Sequence, residues 1–244
     1  MRAEQTIIIL IVMFLVSSFT YDRQNIIKGD LKNWQNGEAL IIFNDYILKE
    51  KIEMGTITSQ GEITILLDDN YLANQKKAAD EAKEKTFQNW DMKFNTVKST
   101  FECDTEAILF ENAAVVIAAL PELEVIGIDN TSYGYLYCTN TLEIASWLSN
   151  FGQGNITKGY YLRWYFLEDN ASVKGSCSMR TYTGNDDENY MDVKIYDLEL
   201  QKGWNIVKYT ITETFTSQFG KVTPSETKIT RIDNVLADTQ WILL

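Results

Sequence analysis

Short apolar runs that alternate with polar residues, and that break at turn residues every ten or so positions, constrain this chain more than any other feature. In Met54–Leu67, Ile63, Ile65 and Leu67 alternate with Glu62, Thr64 and Leu66, and Ser59-Gln60-Gly61 supplies a turn. Successive side chains of a strand point to opposite faces, so this segment predicts a β-hairpin. Ala39–Phe43 is apolar throughout between Asn36-Gly37 and Asn44-Asp45, the pattern of a strand covered on both faces. Ile108–Phe110, Val115–Ile117, Glu124–Ile128 and Tyr133–Tyr137 add short strand candidates, and Tyr160–Leu167 (YYLRWYFL) is the most hydrophobic strand outside the N-terminal apolar run. Val193–Leu200 and Ile206–Phe215 flank Gln201-Lys202-Gly203-Trp204 and predict a long hairpin. Thr141–Phe151 fits a helix face through Leu142, Ala145, Leu148 and Phe151, or a strand over 142–147.

One helix stands out. Asp68, Asp69 and Asn70 are N-cap candidates, after which Tyr71, Gln75, Ala78, Ala82, Thr86 and Trp90 recur at helical spacing among alternating Lys and Glu. The expected fold class is therefore mainly β, with two β-sandwich-like modules joined by one α-helix. The expected divisions are a signal peptide at 1–20, a small β-sandwich module at 21–70, a helical connector at 71–95 and a larger β-sandwich domain at 96–244.

Arg2 precedes the apolar run Ile7–Val16, which small and polar residues follow. Such a run rises about 15 Å as a helix, roughly half the hydrocarbon thickness of a bilayer, so it reads as a secretory leader rather than a membrane span. The expected location is secreted or periplasmic, in the cell envelope, with no stable membrane span after leader cleavage. A net charge of −12 disfavours nucleic acid as a partner, because a binder of phosphates needs a surplus of Lys and Arg. Cys103, Cys138 and Cys177 allow one disulfide in any of three pairings plus a free thiol, or three buried reduced thiols.

The chain contains no histidine, which excludes Ser-His-Asp and Cys-His nucleophile activation and His-ligated metal centres. Ser225-Glu226-Thr227-Lys228 matches S-x-x-K literally, but it lies in Thr- and Ile-rich β sequence where Ser and Lys would not stack. Carboxylate chemistry survives, yet 34 acidic residues make some suitably spaced pair almost inevitable. Alternation along YYLRWYFL assigns Tyr160, Leu162, Trp164 and Phe166 to a core face. Tyr161, Arg163 and Tyr165 then share the other face, as a candidate ligand-binding platform against the plainer reading of a packed ladder. Asp186, Asp187 and Glu188 lie in an oxygen-rich loop and are candidate calcium ligands, against the plainer reading of an acidic turn; no other cofactor is expected.

Gly29-Asp30-Leu31-Lys32-Asn33-Trp34, Gly37-Glu38-Ala39, Gly55-Thr56-Ile57 and Gly61–Leu67, with Leu198-Glu199-Leu200-Gln201-Lys202-Gly203-Trp204-Asn205 and a late Trp241, form a spaced pattern. It resembles bacterial cell-envelope β-sandwich proteins of unknown function, whose N-terminal part is similar to a carboxypeptidase-regulatory-like module. Many such proteins are surface lipoproteins, and this chain departs from them in lacking a cysteine just after the apolar run. The resemblance implies no catalytic residue. The expectation is an exported non-catalytic binding or structural protein, not an enzyme, with a glycan or an envelope protein as partner. The alternative is a carbohydrate-binding protein or a carboxylate-based glycoside hydrolase.

Overall fold

The computed structural model describes residues 25–45, 50–86, 93–103, 107–184 and 188–244. The expected leader, Trp90, Asp186 and Asp187 lie outside them. Fourteen strands are described: β1 (Asn25–Asp30), β2 (Ala39–Asp45), β3 (Glu50–Ile57), β4 (Glu62–Leu67), β5 (Ile108–Glu111), β6 (Ile117–Ala119), β7 (Leu123–Gly127), β8 (Ser132–Thr139), β9 (Gly159–Leu167), β10 (Ala171–Tyr182), β11 (Asn189–Leu200), β12 (Gly203–Thr216), β13 (Val222–Ile232) and β14 (Gln240–Leu243). The helices are α1 (Tyr71–Thr86), α2 (Val97–Phe101) and α3 (Leu142–Ser149). The protein is mainly β, as the alternation predicts, and no helix among the described residues is long and apolar enough to cross a membrane.

Hydrogen-bonded neighbours run β1-β4-β3-β2-β7-β8-β9-β12-β13-β11-β10-β5, with β14 on β8 and β6 on β9. The bridge Leu31↔Trp241 also sets β14 against the end of β1, so seven strands nearly close a ring. Ile41, Ile57, Ile63, Ile65 and Val125 fill it, together with Tyr160, Leu162 and Trp164 from β9. Trp241 anchors this core. Its ring stacks on Trp164 at 5.8 Å, and a side chain at Gly29 would collide with its indole. Because β2 pairs with β7 (Leu40↔Ile126), the ladder and the core both cross the expected module boundary, and the two-module division is not confirmed.

The expected 54–67 hairpin is β3–β4, turned at Gly61 with φ of +88°. Its glycine fits because the left-handed region is costly for residues with a Cβ. The hairpin expected between β11 and β12 is corrected: these strands do not pair, because β13 lies between them, parallel to β11 and antiparallel to β12. The Gln201–Asn205 turn closes on itself instead. Asn205 Oδ1 accepts from the Gln201 N–H at 2.9 Å, and its amide donates to the Gln201 carbonyl at 2.6 Å. The ambiguous Thr141–Phe151 segment is helical over α3, with Thr141 Oγ1 accepting from the Ile144 N–H. In α1 the inward residues are Leu72, Ala79 and Ala82, so the buried stripe is rotated from the one the spacing suggested.

The second core lies on the opposite face of β9, where Tyr165 and Leu167 pack with Val173, Tyr196, Leu198, Val207 and Ile229. Helix α2 covers it, opened by a capping box in which Thr96 and Ser99 satisfy each other's backbone N–H. A Cys103–Cys177 disulfide fixes the end of α2 to β10, leaving Cys138 as a buried free thiol. The bridge closes a sequence separation of 74 residues. On loop-closure entropy, a Cys103→Ala/Cys177→Ala double variant is expected to lose about 4 kcal/mol of stability. Urea unfolding beside the wild type measures this, and an unchanged free energy would contradict it.

Candidate functional site

Strands β9, β12, β13 and β11 present one continuous surface, and strand alternation decides what it carries. Tyr161 on β9 sits directly opposite Tyr209 on β12, which sits opposite Ile229 on β13, which sits opposite Tyr196 on β11. Residues at steps of two along each strand share that face, which brings in Phe215 at the far end of β12 and Asp192 and Tyr190 on β11. A bulge around Glu213 and a proline at 224 lie where β12 and β13 run beyond the second core. Bulges bend and twist a strand pair, and proline is tolerated beside them. Tyr190 and Phe215, on strands separated by β13, lie face to face at 4.8 Å with an interplanar angle of 7°.

The result is a cavity of about 600 Å³. Nine of its described lining residues are aromatic. Tyr161 and Tyr209 stack at 4.8 Å, nearly parallel, and form one wall pair. Phe101 from α2 packs on Tyr196 at 6.0 Å and joins the lining, and Trp147 from α3 closes another side. Phe219, 83% exposed, and Tyr182, 55% exposed, stand at the rim. The lining also includes Thr181, Ser217, Thr227, Lys194, Lys221 and Asp192.

Three polar atoms of this lining are buried with no hydrogen-bond partner among the described residues: Thr100 Oγ1, Trp147 Nε1 and Thr223 Oγ1. A buried donor or acceptor left unpaired costs about 1–3 kcal/mol. These three atoms are covered by neighbouring protein atoms and lie behind the cavity surface; a Cβ at Gly152 would stand 3.6 Å from Trp147 Nε1. Burial pushes the Tyr161 and Tyr196 hydroxyls up to about 12 and Tyr209 well above its ordinary value. All three therefore keep their protons near neutrality. Burial also raises Asp192, and Lys194 opposes that rise.

The three residues expected to form one platform lie in different surroundings. Tyr161 lines the cavity, but Tyr165 is buried in the second core with its hydroxyl hydrogen-bonded to that of Tyr209 at 2.8 Å. Arg163 is exposed, with its guanidinium 5.9 Å from the Tyr161 ring centroid, and it opens on a separate space of about 140 Å³. In the oxygen-rich loop, Glu188 is turned inward, and its Oε1 accepts from the Gln218 N–H at 2.8 Å, tying together two turns at the cavity rim. Its Oε2 is buried with no partner among the described residues, which contain no cluster of three or more Cys, Asp or Glu able to hold a metal. Ser225 and Lys228 sit on β13, where an odd separation puts them on opposite faces.

The period-two series Tyr190, Asp192, Lys194, Tyr196 was the available signal for the β11 wall. Which strands would flank it was not readable, since β13 is inserted between β11 and β12. Comparison of the chain with protein-family models, curated proteins and solved structures finds no match.

Asp192 supplies a pH test. Its folded-state pKa lies above the unfolded value, so the folded state holds the extra proton and stability falls as pH rises through that window. Asp192→Asn is expected to raise the melting temperature at pH 7 and to match the wild type once pH drops below the ordinary aspartate range. Equal melting temperatures at both pH values would contradict the assignment.

Proposed function

We propose that the chain is an exported, non-catalytic carbohydrate-binding protein of the cell envelope, with the aromatic cavity as its binding site. The observation that carries this is the pair of face-to-face aromatic stacks, Tyr161–Tyr209 and Tyr190–Phe215, lining one cavity together with Thr181, Ser217 and Thr227. Flat rings offer large contact area to the C–H faces of a sugar, and polar groups of a lining fix its hydroxyls. The volume falls in the range of small-molecule sites.

Among the described lining residues Asp192 is the single carboxylate, which supports binding over glycoside hydrolysis, a reaction that uses two carboxyl groups flanking the bond. The leader-like run Ile7–Val16 and the resemblance to envelope sandwich proteins support the location. Calcium at the Asp186-Asp187-Glu188 loop is a proposal tested with the same ligands.

A glycan array, run with and without calcium, tests the reading. Wild type is expected to bind a defined glycan set, and Tyr190→Ala to weaken it about tenfold, or about 1.4 kcal/mol, while keeping its far-ultraviolet circular dichroism. Loss of binding in Asp187→Ala would add calcium to the site. An array with no specific binding would leave a structural role as the better reading.

A further inference from the structure

Resting on the carbohydrate reading, we infer that the ligand is an acidic sugar whose carboxylate is held by Lys194 and Lys221, the two cationic residues of the described lining. Three lining residues, Lys194, Lys221 and Trp147, carry polar groups that only donate. An ammonium group offers three N–H donors and no acceptor, and an indole N–H only donates. Lys194 is half-buried in the wall and Lys221 stands exposed at the mouth, and neither forms an ion pair among the described residues. The two lysines against Asp192 leave the described lining positive in a chain whose net charge is −12.

A neutral sugar would stack on the same rings but would leave Lys221 without an ion-pair partner among the described residues, and Lys194 with only the Asp192 carboxylate two residues away. A carboxylate supplies it, and charge-assisted hydrogen bonds are about twice as strong as neutral ones. Asp192 does not cancel this arrangement. It lies two residues from Lys194 on the same strand face, a separation of about 7 Å, so it is placed to accept from a sugar hydroxyl while the lysines take the acid. The overall negative field of the protein is screened within about 10 Å at ordinary salt, so short-range pairing decides the preference.

The experiment titrates the full chain by calorimetry with two probes that differ by the charge and one methyl group at each acid: a uronic-acid oligosaccharide and its methyl ester. The acid is expected to bind at least tenfold more tightly, with an affinity that falls as salt is added. Lys194→Met and Lys221→Met are expected each to lower affinity for the acid by about tenfold or more while changing affinity for the ester little. Melting curves like that of the wild type exclude a folding defect in either variant. Equal binding of acid and ester, or a preference that survives both substitutions, overturns the inference and leaves the carbohydrate reading intact. Binding of neither probe, together with a blank glycan array, overturns both.

Discussion

The pairing of β9 with β12 is the constraint from which the other parts of the molecule take their positions. The two strands run antiparallel in unbroken register from Gly203↔Leu167 to Ile211↔Gly159. Along β9 both faces are buried, Tyr160, Leu162 and Trp164 in one core and Tyr165 and Leu167 in the other. Slipping that register by one residue would exchange the faces, exposing Trp164 to the second core and turning Tyr161 away from Tyr209. Each fully buried large apolar side chain contributes about 1.5–3 kcal/mol, so a slipped register is strongly disfavoured.

That register produces the aromatic wall. Tyr161 and Tyr209 stack because they are direct cross-strand partners, and such pairs are the unit in which sheets are stabilised. The stack then continues outward along β12, where the bulge near Glu213 curls the sheet enough for Phe215 to meet Tyr190 over β13. The second core ends where the cavity begins, and Tyr209 belongs to both: its hydroxyl bonds to buried Tyr165 while its ring faces the open space. The site is thus an extension of the core left unfilled by protein. Its walls come from strands already fixed by packing, and from α2, which the Cys103–Cys177 bridge pins at its end.

Much of this was legible in the residues themselves. The period-two alternation around Ile63, the fully apolar Ala39–Phe43 run and the glycine turn at 61 report local geometry, and local geometry is what alternation encodes. The helix from Tyr71 was equally plain. The pairing partners were not, because the insertion of β13 between β11 and β12 is a non-local choice that leaves no mark on either strand. For the same reason Tyr161 could be placed on the right face of β9 but not beside Tyr209. Tyr165 was grouped with it by parity alone, while in the fold Phe101 from α2 packs on it within the second core. That helix was missed because Thr96 and Ser99 form a capping box around merely five residues, too short for a periodic signal. The S-x-x-K match at Ser225 shows the converse: a motif without its helical setting carries no chemistry.

If the cavity is the binding site, then the indole of Trp147, the tryptophan among its described lining residues, senses the ligand when it enters. Nitrogen-15 NMR of the tryptophan indoles reads this directly among the six tryptophans of the chain. On titration with a bound oligosaccharide, the Trp147 resonance is expected to shift, with the Trp164 and Trp241 signals unchanged. A Trp147 signal that stays in place while another indole shifts would put the ligand elsewhere and contradict the assignment of the site.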